Sequence, residues 1–194
     1  MKSEETGMNA NNPALDRAIE IMIDSYQKGG KLMVCGNGGS ASDSAHIVGE
    51  LVKGFLKKRP LPDNWNETLD HLPLQMGQPA IDLTAQSAVI AAIVNDLCGE
   101  LMYAQQVMAY ANPGDVIIGI TTSGNARNVI LAMRAAKMKG ATCIGMTGKG
   151  GGKLRQYCDV LIESGETETY LVQEEHIRLY HEFCARVEAA FFNE

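Results

Sequence analysis

Residues Met33–Leu51 read "MVCGNGGSASDSAHIVGEL": an apolar run of strand length, a glycine turn, then a helix carrying a histidine and a glutamate. A continuous apolar strand that feeds a helix through glycines is one βα unit of a parallel sheet, since strands covered on both faces lose the apolar–polar alternation. The chain repeats the unit. Apolar runs "KLMVCG", "PAIDL", "DVIIGIT", "ATCIGMT" and "CDVLIE" alternate with helical segments at about 40–56, two pieces within 84–110, and 126–139. Asn12 and Pro13 suit an N-cap and a first helical position. Leu15, Ala18, Ile19, Met22, Ile23 and Tyr26 then recur at helical spacing, which predicts a helix over 13–28 that Gly29-Gly30 ends. A last amphipathic helix runs from about Tyr170 to Phe192. The pattern predicts an α/β fold: a five-stranded parallel sheet of flavodoxin-like order 2-1-3-4-5 with helices on both faces.

The 194 residues suffice for one well-packed domain and are short for two, so residues 1–194 are taken as a single domain. One stretch fits no element. "LKKRPLPDNWNETLDHLPLQMGQ", residues 56–78, has three prolines and the only tryptophan, and reads as an irregular surface insertion, either a lid or a subunit contact. A formal charge of −6 argues against nucleic acid or an anionic membrane as partner. The cysteines, Cys35, Cys98, Cys143, Cys158 and Cys184, form no Cys-x-x-Cys pair, which excludes zinc-ribbon and thioredoxin readings. Most sit in apolar runs as small core residues. The opening "MKSEETGMNANNPAL" holds no apolar segment of signal-peptide length, and no window approaches ~20 apolar residues. A cytoplasmic location without membrane contact is the expectation.

Two glycine loops carry the first chemistry. Gly36-Asn37-Gly38-Gly39-Ser40-Ala41 and "TTSGNARN", residues 121–128, each follow a strand and open a helix. A helix start offers unpaired N–H groups and the positive end of the helix dipole, which together favour an anion. The hydroxyls of Ser40, Thr121, Thr122 and Ser123 add donors. In the order 2-1-3-4-5 the first and third strands are neighbours, so both loops meet at the switch-point crevice. A third cluster, "TGKGGGKL" at 147–154, lacks P-loop spacing and reads as a flexible turn. The first loop also satisfies Gly-x-Gly-x-x-Ala. A dinucleotide site, however, wants an acidic residue about 20 positions on, and Asp82 lies more than 40 residues downstream. A monophosphate suits two such loops better than a pyrophosphate does.

The second chemistry is in the helices. His46 and Glu50 are at i and i+4, on one helix face, an arrangement that a solvated surface pair also shows. In "LVQEEHIRLYHEF", Gln173 and His181 are two turns and about 80° apart around the helix, with His176 between them. His46, Glu50, Gln173 and His181 supply two nitrogen and two oxygen donors, a set suited to tetrahedral zinc or a similar divalent ion.

Together, "CGNGGSASDSAHIVGEL", "VND", "GITTSGNARNVI" and "LVQEEHIRLYH" resemble the sugar isomerase (SIS) domain and, within it, the phosphoheptose isomerases. The likeness covers about residues 13–192, with 56–78 as the main misfit. It implies the parallel α/β sandwich already read, a homotetramer with sites between subunits, and a zinc site from His46, Glu50, Gln173 and His181 whose two helices meet across an interface. It implies substrate contacts from Asn37, Gly38, Gly39, Ser40, Glu50, Asn95, Asp96, Thr121, Thr122, Ser123 and Gln173, with Glu50 and His181 as the acid–base pair. Two positions depart from the pattern. Ala126 stands where the family commonly has serine, and Thr121 replaces a usual serine but keeps the hydroxyl.

The implied reaction interconverts a ketose and an aldose phosphate through an enediol, with sedoheptulose 7-phosphate as the family default. A carboxylate abstracts the carbon-bound proton, an imidazole shuttles the oxygen-bound one, and a divalent metal stabilises the enediolate oxygen. The rival reading is a non-catalytic SIS module that senses a sugar phosphate or binds a replication initiator. Such a module does not require the complete His/Glu/Gln/His set.

Overall fold

The computed structural model describes residues 12–68 and 72–192, so residues 1–11, 69–71 and 193–194 of the expected domain lie outside the described residues. In chain order the elements are α1 (Pro13–Gln27), β1 (Leu32–Gly36), α2 (Gly39–Val52), α3 (Asp63–Thr68), β2 (Ala80–Asp82), α4 (Ser87–Asp96), α5 (Ala104–Tyr110), β3 (Val116–Thr121), α6 (Arg127–Met138), β4 (Thr142–Thr147), β5 (Val160–Glu163) and α7 (Thr169–Ala189). Short 3₁₀ turns lie at Gly99–Leu101 and Gly152–Tyr157.

The five strands form one all-parallel sheet in the order β2-β1-β3-β4-β5, as the alternation of elements predicts. Alternate strand residues feed opposite cores. Leu32, Val34, Ile118 and Ile144 pack with α1, α2 and α7, while Met33, Cys35, Ile117 and Cys143 pack with α5 and α6. This two-sided burial is why the strands read as unbroken apolar runs. Asn12 Oδ1 accepts from Leu15 N at 3.0 Å and caps α1, with Pro13 in the first turn.

The register fixes where chemistry can occur. Gly36 pairs with Ile120, so the loop leaving β1 lies beside the loop leaving β3, at the point where strand order reverses. The third glycine cluster is a buttress rather than a flexible turn. Gly148 N donates to Thr122 O, Leu154 N to Gly124 O, and Lys153 N to Asn125 Oδ1, which fastens it beneath the second loop.

Helix α2 stops at Val52, four residues short of the expected end, and Lys53 is already extended. From there a strap, described over residues 53–68 and 72–79, carries α3 and an antiparallel bridge between Pro60 and Gln75. Its outer apolar residues Leu56, Trp65, Leu72 and Leu74 are exposed. Its root is not a surface feature, because Arg59 and Leu61 are buried.

Candidate active site

The two loops and the start of α7 enclose one cavity of about 290 Å³, lined in part by Asn37, Gly38, Gly39, Ser40, Thr121, Thr122 and Gln173. No lining side chain is charged. An anion here would be met by backbone N–H groups, helix dipoles and hydroxyls, which is the phosphate chemistry of helix N-termini. Gly38 sits at φ +57° and ψ −122°, a backbone conformation that side chains rarely adopt, and this lets the chain enter α2 in one step. Gly39 is required by space: a Cβ there would come within 2.3 Å of Gln173 Nε2. Gln173 therefore lies flat against the first loop. Ala126 also lines the cavity, with a methyl where a serine would offer a hydroxyl.

A second cluster forms where α2 crosses α7. His46 Nε2 stands 3.2 Å from Glu50 Oε1, and the His46 and His181 ring centroids are 5.0 Å apart. Tyr180 shares a 2.8 Å hydrogen bond with His46 Nδ1, which leaves Nε2 facing the carboxylate. Phe55 packs on the other side of His181, ring centroids 5.6 Å apart. Burial, reinforced by the neighbouring His46, pushes the His181 pKa down, and Glu50 only partly opposes this. Asp43, one turn before His46, is pushed up to about 6 by burial, against the pull of His46 and the Tyr180 hydroxyl. The two helices pack against the same sheet face and bring His46, with Glu50 beside it, against His181.

Other expected residues stand apart. Gln173 is eight residues before His181, about 12 Å along α7, and contributes to the loop cavity instead. Asn95 and Asp96 end the exposed helix α4, where Asn95 Nδ2 donates to Asp96 Oδ1 at 2.7 Å. Ser123 is exposed beside the cavity, and its Oγ accepts from Asn125 N at 3.2 Å. Among the described residues, no three His, Cys, Asp or Glu side chains are set to hold an ion as they stand. The donor chemistry of His46, Glu50 and His181 nevertheless fits zinc.

Three residues escaped sequence reading. The side-chain amides of Asn37 and Asn128 exchange two hydrogen bonds, at 2.9 and 2.8 Å, and tie the first loop to α6. Tyr103 OH donates to Gly36 O at 2.6 Å beneath the same loop. Tyr180 orients His46. Asn128 lay inside a stretch read for its hydroxyls, whereas no spacing points to Tyr103 or Tyr180, whose partners are 66 or more positions away.

The SIS domain family matches this chain over residues 83–182 and again over residues 3–69. The phosphoheptose isomerase of Nitratidesulfovibrio vulgaris (strain Miyazaki F) is 42% identical over 172 residues, spanning 87% of this chain and 75% of the relative. The solved phosphoheptose isomerase of Neisseria gonorrhoeae superimposes with a TM-score of 0.77 at 32% identity, over 91% of this chain and 86% of that one. The Francisella tularensis phosphoheptose isomerase gives a TM-score of 0.80 at 29% identity, over 92% and 87% of the two chains. With fold, loops and helix crossing in agreement with these likenesses, the chain belongs to the SIS domain family, among its phosphoheptose isomerases.

Proposed function

We propose that this protein is an aldose–ketose isomerase that converts sedoheptulose 7-phosphate to D-glycero-D-manno-heptose 7-phosphate through an enediol. One observation carries the reading. The helix whose amino end lines an uncharged, hydroxyl-rich cavity also brings His46, with Glu50 beside it, to His181. The loops Asn37–Ser40 and Thr121–Ser123 hold the phosphate, and Gln173 fixes the sugar against Gly39. Glu50 takes the proton from the carbon beside the carbonyl and returns it to the neighbouring carbon. His181, kept neutral by its lowered pKa, accepts and returns the hydroxyl proton. His46, Glu50 and His181 are the residues that would hold a zinc ion, which would supply Lewis-acid stabilisation of the enediolate oxygen.

The working form in this proposal is a homotetramer with sites completed between subunits. Helix α4 supports it: Val89 and Val94, with Leu97 just beyond the helix end, are exposed, and Ile93 alone of the helix is buried. An apolar helix with so little covering it in one chain is suited to a subunit contact. That contact would carry Asn95 and Asp96 to a neighbour's cavity. No helix among the described residues is long and apolar enough to cross a membrane.

The test is conversion of sedoheptulose 7-phosphate by purified protein, followed by NMR, with zinc, with a chelator, and with Glu50→Gln. Aldose product that vanishes in Glu50→Gln is the expected result. Sugar-phosphate binding without turnover of any ketose or aldose phosphate would favour the sensing module instead.

A further inference from the structure

The carboxyl end of α2 is fastened by a buried ion pair that the reaction scheme does not use. Arg59 is 1% exposed and Glu188 is fully buried. Glu188 lies near the end of α7, 129 positions away in sequence. Its carboxylate is saturated: Oε1 accepts from Phe55 N at 2.8 Å and Arg59 Nε at 2.9 Å, while Oε2 accepts from Leu56 N at 2.7 Å and Lys57 N at 3.1 Å. The remaining arms of the guanidinium donate to Leu51 O and, at 3.0 Å, to Glu50 O. These are carbonyls of the last helical turn, which have no partner within the helix and carry its negative dipole end. The Phe192 ring covers the guanidinium, 4.8 Å from its carbon to the ring centroid.

Packing alone does not explain the charges. An apolar pair of similar volume is often as stable as a buried ion pair, because desolvation offsets most of the Coulomb gain. What an apolar pair cannot do is bond to the Glu50 carbonyl while holding Phe55 by its N–H. Those two points reach the two reacting side chains. The first anchors the backbone of Glu50, and the second sets the ring that packs against His181.

We propose that Arg59 and Glu188 are positioning residues: through the last turn of α2 and through Phe55 they hold Glu50 and His181 in mutual register for proton transfer. The inference rests on the isomerase reading for its kinetic consequence, and on geometry alone for its structural one.

The experiment compares wild-type protein with the apolar double variant Arg59→Met/Glu188→Leu, with Arg59→Lys, and with Asp115→Asn. Asp115 is a control at the start of β3, where its carboxylate accepts from Lys31 N and Nζ and from Asn112 N, none of them on α2, α7 or the strap. Substrate affinity is read by calorimetry, kcat and KM by NMR turnover, and the His46 and His181 ring resonances by heteronuclear NMR. The double variant is expected to fold and to bind sedoheptulose 7-phosphate within about threefold of wild type, with kcat down on the order of 10²-fold. Its His46 and His181 resonances are expected to shift. Asp115→Asn is expected to lose thermal stability while keeping kcat and both ring signatures. If the double variant does not fold, Arg59→Lys decides, since it keeps the charge but loses the fork that reaches two carbonyls. Unchanged kcat and unchanged ring resonances in a folded variant would overturn the proposal, as would an equal effect of Asp115→Asn. Absence of turnover in wild type would count against the isomerase reading only, because the ring resonances still test the register.

Discussion

The two ends of helix α2 are held by opposite means. At the amino end, Gly38 and Gly39 line a cavity in which no side chain is charged. At the carboxyl end, a guanidinium takes two of the last carbonyls and a carboxylate takes three N–H groups of the following strap. Both arrangements answer the same physical fact, that a helix leaves four unpaired groups at each end. One end opens on a cavity, with Ser40 N and Ala41 N bonded within its own loop, while the other is closed by the protein's own side chains. On the proposed function, binding falls to the open end and reacting geometry to the end that is filled.

Substitutions at the two ends should accordingly separate affinity from turnover. The largest effect belongs to Glu50→Gln, which keeps shape and removes the carboxylate proposed as the base. Turnover should fall by at least the ~10² to 10⁴ usually supplied by a positioned general base, with sugar-phosphate affinity by calorimetry nearly unchanged. An affinity loss as large as the turnover loss would break the division between the ends.

Gly124→Ala should do the reverse. Gly124 has φ +67°, and an added Cβ would stand 2.2 Å from Gly151 O, so backbone must move where the third glycine cluster supports the second loop. A cost of about 1–3 kcal/mol in folding stability is expected from the strained conformation, read by urea denaturation. Binding should weaken in parallel, and kcat at saturation should survive. A variant with full affinity would show that the second loop does not carry the phosphate.

The open end was legible in sequence and the filled end was not, for a physical reason. Strand runs, glycine turns and the His46–Glu50 spacing are local patterns, decided within a few residues of each other. The strap root is decided at long range. "LKKRP" opens the stretch read as an irregular surface insertion, and nothing near Arg59 reveals that its carboxylate partner is Glu188. The early stop of α2 has the same origin, since Arg59 and Glu188 together satisfy the chain that leaves the helix. Gln173 shows a mixed case: its place on α7 was readable, but its seat against Gly39, two turns from His181, comes from how α7 crosses the loop.

Ala126→Ser sharpens the open end with a smaller change. The side chain lines the cavity among Thr121, Thr122 and Ser40, so a hydroxyl there adds a donor without new bulk in the core. One further hydrogen bond to a bound phosphate should tighten binding by about 1 kcal/mol, or roughly fivefold. Calorimetry with sedoheptulose 7-phosphate measures it, and weaker binding would mean that the methyl shapes the pocket for a different ketose phosphate.

The smallest effect separates His176 from both ends. His176 is fully buried on α7, and its ring nitrogens have no well-aligned hydrogen-bond partner. Burial lowers its pKa below the ordinary value of 6.5, while the Thr147 backbone and the Glu175 charge oppose the shift only in part. Between its folded pKa and 6.5 the unfolded chain therefore binds more protons than the folded one, and stability rises with pH there. On acidification the native state loses stability from about pH 6.5 downward, by at most ~1.4 kcal/mol per pH unit for one proton. His176→Met removes the buried imidazole and this titration together. Urea midpoints of the variant should fall less steeply than wild type between pH 7.5 and about pH 6, at unchanged m-value. Substrate affinity and turnover at pH 7.5 should match wild type, because His176 faces the core beneath Thr147 and reaches neither end of α2. A variant that lost turnover while keeping its fold would place His176 in the reaction, and α7 would then contribute a second imidazole to it.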